Sequence, residues 1–156
     1  MKTFFIILII PFLLTQCITD NNRSEALVPI EQKNKNISNK FEINTNQLSY
    51  VIAITESGKL AETKKYIKGF NLNSGYEKLR MNNIYLGTGE DKLSIVAIRR
   101  FENIESAQNY CKIYKGKANY KPISYILPIS QNNYRRLLKN KNFEKYRMFY
   151  KKYIAL

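Results

Sequence analysis

The sequence predicts an α+β fold, with an antiparallel sheet in the order β-α-β-β-α-β and two further helices at the C-terminal end. Three observations carry this expectation. Four short apolar runs of strand length lie between residues 48 and 129. Segments with apolar residues at helical spacing separate the first run from the second and the third from the fourth. A glycine loop, Gly87-Thr88-Gly89-Glu90-Asp91, joins the second run to the third and suits a hairpin, because glycine accepts positive φ without cost.

Residues 48–55, Leu-Ser-Tyr-Val-Ile-Ala-Ile-Thr, are apolar on both faces and read as a central strand. Ser57-Gly58 ends it. Leu60, Lys64, Ile67 and Phe70 then recur at helical spacing, which predicts a helix over residues 59–71 that stops at Asn71 to Gly75. Residues 79–86 form the second predicted strand. Residues 92–101 form the third, with Leu93, Ile95 and Ala97 on one face and Val96 and Ile98 on the other. Asn103 is placed to cap a helix carrying Ile104, Ala107, Tyr110, Cys111 and Tyr114, with Glu105 in its first turn and Gly116 at its end. Residues 124–129 form the fourth predicted strand, and Pro128 suits an edge position or a strand end. Ser130 caps a short helix with Tyr134, Leu137 and Leu138. Asn142 caps the last, where Phe143, Tyr146, Phe149, Tyr150 and Tyr153 make an aromatic stripe that reads as core packing. This order is the split βαβ, ferredoxin-like arrangement, with two helices on one face. The last two helices are expected on the other side or along an edge.

The 156 residues suffice for one domain, and 12 Tyr and 8 Phe supply a core. The chain has no His, which excludes Ser–His and Cys–His nucleophiles and His metal sites. The formal charge is +14, and its distribution is uneven. Residues 18–46 balance Arg23, Lys33, Lys35 and Lys40 against Asp20, Glu25, Glu31 and Glu42. Residues 47–156 hold 21 basic and 8 acidic residues, a net of +13. Residues 134–156 carry eight Lys and Arg against Glu144 alone. Such a field draws acidic protein surfaces and other polyanions.

Residues 1–16 read as an export signal. Met1-Lys2-Thr3 is a short positive start, and the apolar run from Phe4 to Leu14 is too short to span a bilayer. Leu14-Thr15-Gln16-Cys17 then resembles the lipobox of bacterial lipoproteins, in which the Cys thiol is acylated and becomes the first residue of the mature chain. Gln16 departs from the small residue usual at its position. Cys17 is therefore the expected lipid-attachment site, and a membrane is an expected partner through that anchor. Residues 17–46, rich in Asn, Ser, Lys and Glu, read as a flexible linker, and residues 47–156 as the domain. Cys111 remains as a lone thiol, expected to be buried and inert.

Catalytic chemistry finds little support. Glu90-Asp91 is the one adjacent carboxylate pair of the domain, and it falls in a hairpin loop where a solvated turn is expected. Gly87-x-Gly89 is too short for a nucleotide-binding loop. No metal-ligand spacing is present. The expectation is a protein that is not an enzyme and has no cofactor or metal. Nucleic acid is not an expected partner: the third strand lacks the Gly-aromatic pattern of an RNA-recognition motif.

Residues 48–154 resemble the C-terminal domain of the large tetratricopeptide-repeat lipoprotein of Bacteroidetes linked to gliding motility and type IX secretion. The resemblance rests on Tyr50-Val51-Ile52-Ala53-Ile54, on Phe70-Asn71, Lys78-Leu79, and Phe101-Glu102-Asn103 with Ala107 and Tyr110, and on the tail Ile129-Ser130-Gln131-Asn132-Asn133-Tyr134, Leu138, Tyr146, Phe149, Tyr150 and Tyr153. The repeats themselves are missing here. The resemblance implies an outer-membrane-anchored, periplasmic domain that binds other envelope proteins, including components of type IX secretion. Arg135, Arg136, Lys151 and Lys152 are the candidate partner-binding residues. The alternative expectation is peptidoglycan binding, since sporulation-related repeat domains share a similar element order and bind glycan on the sheet.

Overall fold

The computed structural model describes residues 40–89, 92–118 and 122–155. Its elements are β1 (Ser49–Thr55), α1 (Leu60–Asn73), β2 (Arg80–Leu86), β3 (Leu93–Phe101), α2 (Ile104–Lys117), β4 (Ile123–Ser130), α3 (Gln131–Asn140) and α4 (Phe143–Tyr153). The four strands make one sheet in the order β2-β3-β1-β4, and every neighbouring pair is antiparallel. The fold is therefore mixed α+β. Strand β1 runs the same way as β2 with β3 between them, and β3 the same way as β4 with β1 between them.

The side-chain period of two sends alternate residues of β1 to opposite faces. Val51 and Ala53 join Val96, Ile98, Leu60, Ile67, Ala107, Tyr110 and Ile126 in one core, under α1 and α2. Tyr50, Ile52 and Ile54 join Ile95, Ala97, Leu127, Ile129, Leu137 and Tyr146 in a second core, under α3 and α4. Every residue of β1 is buried. A sheet covered on both faces explains why that strand is apolar throughout, and each fully buried Ile or Val contributes ~1.5–3 kcal/mol. The last two helices thus close the face that α1 and α2 leave open.

Several local expectations need correcting. Thr63, rather than Lys64, turns from α1 toward the sheet, where its hydroxyl lies 2.6 Å from that of Thr55. Gly116 lies inside α2, which continues to Lys117. Leu138 is 37% exposed, whereas Leu137 is fully buried. Asn103 and Asn142 do cap α2 and α4, each accepting a backbone N–H at 2.8 Å. Ser130 occupies the cap position of α3 but makes no side-chain capping bond. Phe41, placed by the sequence in the linker, is buried in the second core with ring contacts to Tyr146 and Phe149. Packing therefore begins before residue 47.

One irregularity moves a side chain between cores. Ser49 pairs with Phe101 but Tyr50 pairs with Arg99, so Arg100 is an extra residue in β3, at φ 77. This is a β-bulge in the left-handed region, uncommon for Arg. It reverses the alternation beyond Arg99, and Phe101 lands in the first core against Tyr110.

Candidate functional site

The tail motif Gln131-Asn132-Asn133 works as a clamp on the chain entering the domain. It opens α3, so its backbone N–H groups have no intrahelical partners. Gln131 N donates to Leu48 O at 2.8 Å, and Asn132 N to Gln47 Oε1 at 3.0 Å. Asn133, 1% exposed, pairs its amide with the backbone of Glu42: Nδ2 donates to Glu42 O at 2.8 Å, and Glu42 N donates to Oδ1 at 3.1 Å. Arg136 completes the clamp, donating to Asn133 Oδ1 at 3.1 Å and ion-pairing with Glu42 Oε1 at 2.7 Å.

Arg136 is therefore not an exposed partner-binding residue. Its side chain is 8% exposed, and Glu42 answers its charge. The sequence hid this, because Glu42 falls in the stretch that composition assigns to a linker. The other three candidates are placed as expected for a surface role. Arg135 is exposed on α3, and Lys151 and Lys152 are exposed at the end of α4. Lys139, Lys141 and Lys145 are exposed on the same two helices and their connection. Glu144, the one carboxylate of this region, is engaged by Arg147 at 2.6 Å.

Cys17, Glu90 and Asp91 lie outside the described residues. Cys111 is buried, and that burial pushes its thiol up to about 12. So high a value leaves essentially no thiolate at neutral pH, which makes the sulfur inert. Tyr110 is likewise buried, its hydroxyl donating to Asn71 Oδ1 at 2.8 Å within a ring cluster of Phe70, Tyr76, Phe101 and Tyr114. Burial first, then the neighbouring Tyr114, raises its pKa. These rings are core rather than a binding platform. Among the described residues no cluster of three or more His, Cys, Asp and Glu could hold a metal.

The two edges of the sheet complete the geometry. At the β4 edge, Tyr146 of α4 donates its hydroxyl to Pro128 O, and Phe143 meets the ring of Tyr125 at 5.5 Å. Gln108 of α2 donates at 2.9 Å to the carbonyl oxygen of Ile154, the residue that follows α4. At the β2 edge, Leu86 is the one buried residue of the strand, and Arg80, Asn82, Asn83 and Tyr85 are exposed. Arg80 lies directly opposite Arg99 of β3. A groove of about 610 Å³ along α1 is lined by a mixture that includes Lys65, Tyr66, Phe70, Asn73 and Lys117, without convergent reactive groups.

Comparison of the chain with family models, curated proteins and solved structures finds no match in any of the three.

Proposed function

We propose that this chain is an envelope lipoprotein, acylated at Cys17 and held on the periplasmic side of the outer membrane, whose domain binds other proteins and catalyses nothing. The export signal and the Cys following it support the anchor. We further read the domain as ferredoxin-like, supported by the strand order and by helix-bearing connections that each skip one strand. Type IX secretion and gliding components are the proposed partners, on the resemblance of residues 48–154.

The observation that carries the binding role is how the C-terminal cations divide. Arg136 is consumed internally, whereas Arg135, Lys151 and Lys152 stay exposed on helices whose one carboxylate is engaged by Arg147. That leaves a surface with an excess of positive charge, suited to steering an acidic partner. Sporulation-related repeat domains, whose element order is similar, bind glycan on the sheet. Since α1 and α2 cover one face and α3 and α4 the other, we do not carry that alternative forward.

Intact-mass analysis of the protein from a Bacteroidetes host tests the anchor. A mature chain starting at Cys17 with added acyl mass, absent from Cys17→Ala, is expected. A lipid-free chain cut elsewhere would end the anchored reading. Crosslinking in the envelope tests the partner: charge reversal at Arg135, Lys151 and Lys152 together should weaken the crosslinked complex, and an unchanged yield would remove the basic surface from the interface.

A further inference from the structure

The direction of the backbone groups along β2 follows from Pro128. In an antiparallel ladder each residue turns its N–H and C=O to the same side. Pro128 has no N–H, and its carbonyl accepts from Tyr146, so both of its positions face away from β1. Its partner Val51 therefore turns to the other neighbour, Ile98 of β3. Ile98 is thus committed to β1, and Met81, opposite it on β2, must turn outward. The register of β2 on β3 is unbroken, so Met81, Asn83 and Tyr85 all point their N–H and C=O groups away from the sheet. Arg80, Asn82 and Ile84 bond to β3. Among the described residues no strand lies beyond β2. Among the described residues, no backbone partner meets the outward donors and acceptors of this edge.

Charge marks what this edge would accept. Arg80 and Arg99 are directly opposite each other on one face, an unfavourable like-charge pair. Neither forms an ion pair among the described residues. The Nε of Arg99 is buried without a hydrogen-bond partner, although a buried donor without an acceptor is costly. The extra residue beside it, Arg100, is exposed and adds a third cation at the same end of the sheet. A carboxylate set between the two opposed guanidinium groups would relieve the repulsion and supply an acceptor to Arg99.

We propose that the outer edge of β2 receives an extended acidic segment of a partner protein as a fifth strand. The partner's backbone pairs with Met81, Asn83 and Tyr85, and one of its carboxylates bridges Arg80 and Arg99. This identifies the surface and the partner chemistry for the interaction role proposed above, and rests on that role alone, not on the lipid anchor.

The test uses the full chain carrying Cys17→Ala, purified in mild detergent, so that acylation plays no part. The probe is a capped peptide of alternating Val and Glu, with a Val and Lys peptide as control. Backbone amide shifts are followed by isotope-edited NMR. The Glu peptide should shift and protect the amides of Met81, Asn83 and Tyr85, and the Lys peptide should not bind. Asn83→Pro removes one outward N–H and should abolish binding, at a far smaller cost in stability than Asn82→Pro. Arg80→Glu should weaken binding by about tenfold or more. Equal binding of both peptides, or shifts confined to α3 and α4, would overturn the proposal and leave the basic helical surface as the interface. A dimer of the free chain that Asn83→Pro dissolves would also overturn it, assigning the edge to a second copy.

Discussion

Strands β4 and β2 both end the sheet, yet among the described residues one edge is finished and the other is left bare. At β4 three devices act together. Pro128 offers no N–H, Tyr146 takes its carbonyl, and α4 lies against the strand with Phe143 on Tyr125. Residues Ile126 to Ser130 are buried as a result. Strand β2 has one buried residue, and among the described residues no strand or helix pairs with the outward backbone groups of Met81, Asn83 and Tyr85. A bare edge invites pairing with another chain, and proteins usually blunt such edges with charge. Here the charge is Arg80 opposite Arg99. That arrangement repels a basic strand and favours an acidic one. The closed edge serves stability, and the open edge is the one proposed above to receive a partner.

Loss of the cover on β4 should have the largest effect. Tyr146→Ala removes a fully buried ring and its bond to Pro128, and should destabilise the fold by about 3–5 kcal/mol in urea unfolding. A cost below about 1 kcal/mol would mean that α4 does not close this edge.

The same side of the molecule should respond to alkali. Burial holds Cys111 protonated in the folded chain up to about 12, against an ordinary value of 9.0. Burial also raises Tyr110 and Tyr146. For an acid whose pKa is raised by folding, the unfolded chain loses its proton first. The stability is complete below pH 9 and falls as pH rises toward 12, by up to about 1.4 kcal/mol per pH unit for the thiol. Unfolding curves between these limits should be shallower in pH for Cys111→Ala, and an identical slope would show that the thiol does not contribute.

Proline substitution separates the two sides of β2. Asn82→Pro deletes an N–H bonded to β3 and should cost about 1–3 kcal/mol. Asn83→Pro deletes an outward N–H and should cost far less. Equal costs by thermal denaturation would contradict the assigned direction of the strand. A smaller loss, about 1 kcal/mol, is expected for Asn142→Ala, which uncaps α4 and loosens the closed edge without emptying the core. Smallest of all, Arg80→Glu should change stability by no more than about 0.5 kcal/mol, and in the stabilising direction, because it replaces a like-charge pair with an attractive one. A marked destabilisation would show that Arg80 has a structural partner.

Much of the fold was legible in the residues. Hydrophobic period placed all eight elements within a few positions, and the short polar caps Asn103 and Asn142 marked two helix starts. Both faces of β3 were read correctly from alternation as far as Ile98. The candidate surface was legible only in part. Arg135, Lys151 and Lys152 are exposed as expected, but Arg136 is buried in a pair with Glu42. Neighbouring arginines on one helix look alike in sequence, and which of them turns inward depends on a segment far away along the chain.

The sequence by itself determined the element order, the doubly apolar central strand and the basic balance of the domain, because these follow from local period and composition. Only the tertiary structure decided that Phe41 belongs to the core, that Gln131-Asn132-Asn133 clamps the entering chain, and that the bulge at Arg100 carries Phe101 to the other face. It also decided which edge is closed. Each of these depends on register and on contacts between distant segments, and a chain read residue by residue carries no measure of which distant backbone will supply a hydrogen-bond partner.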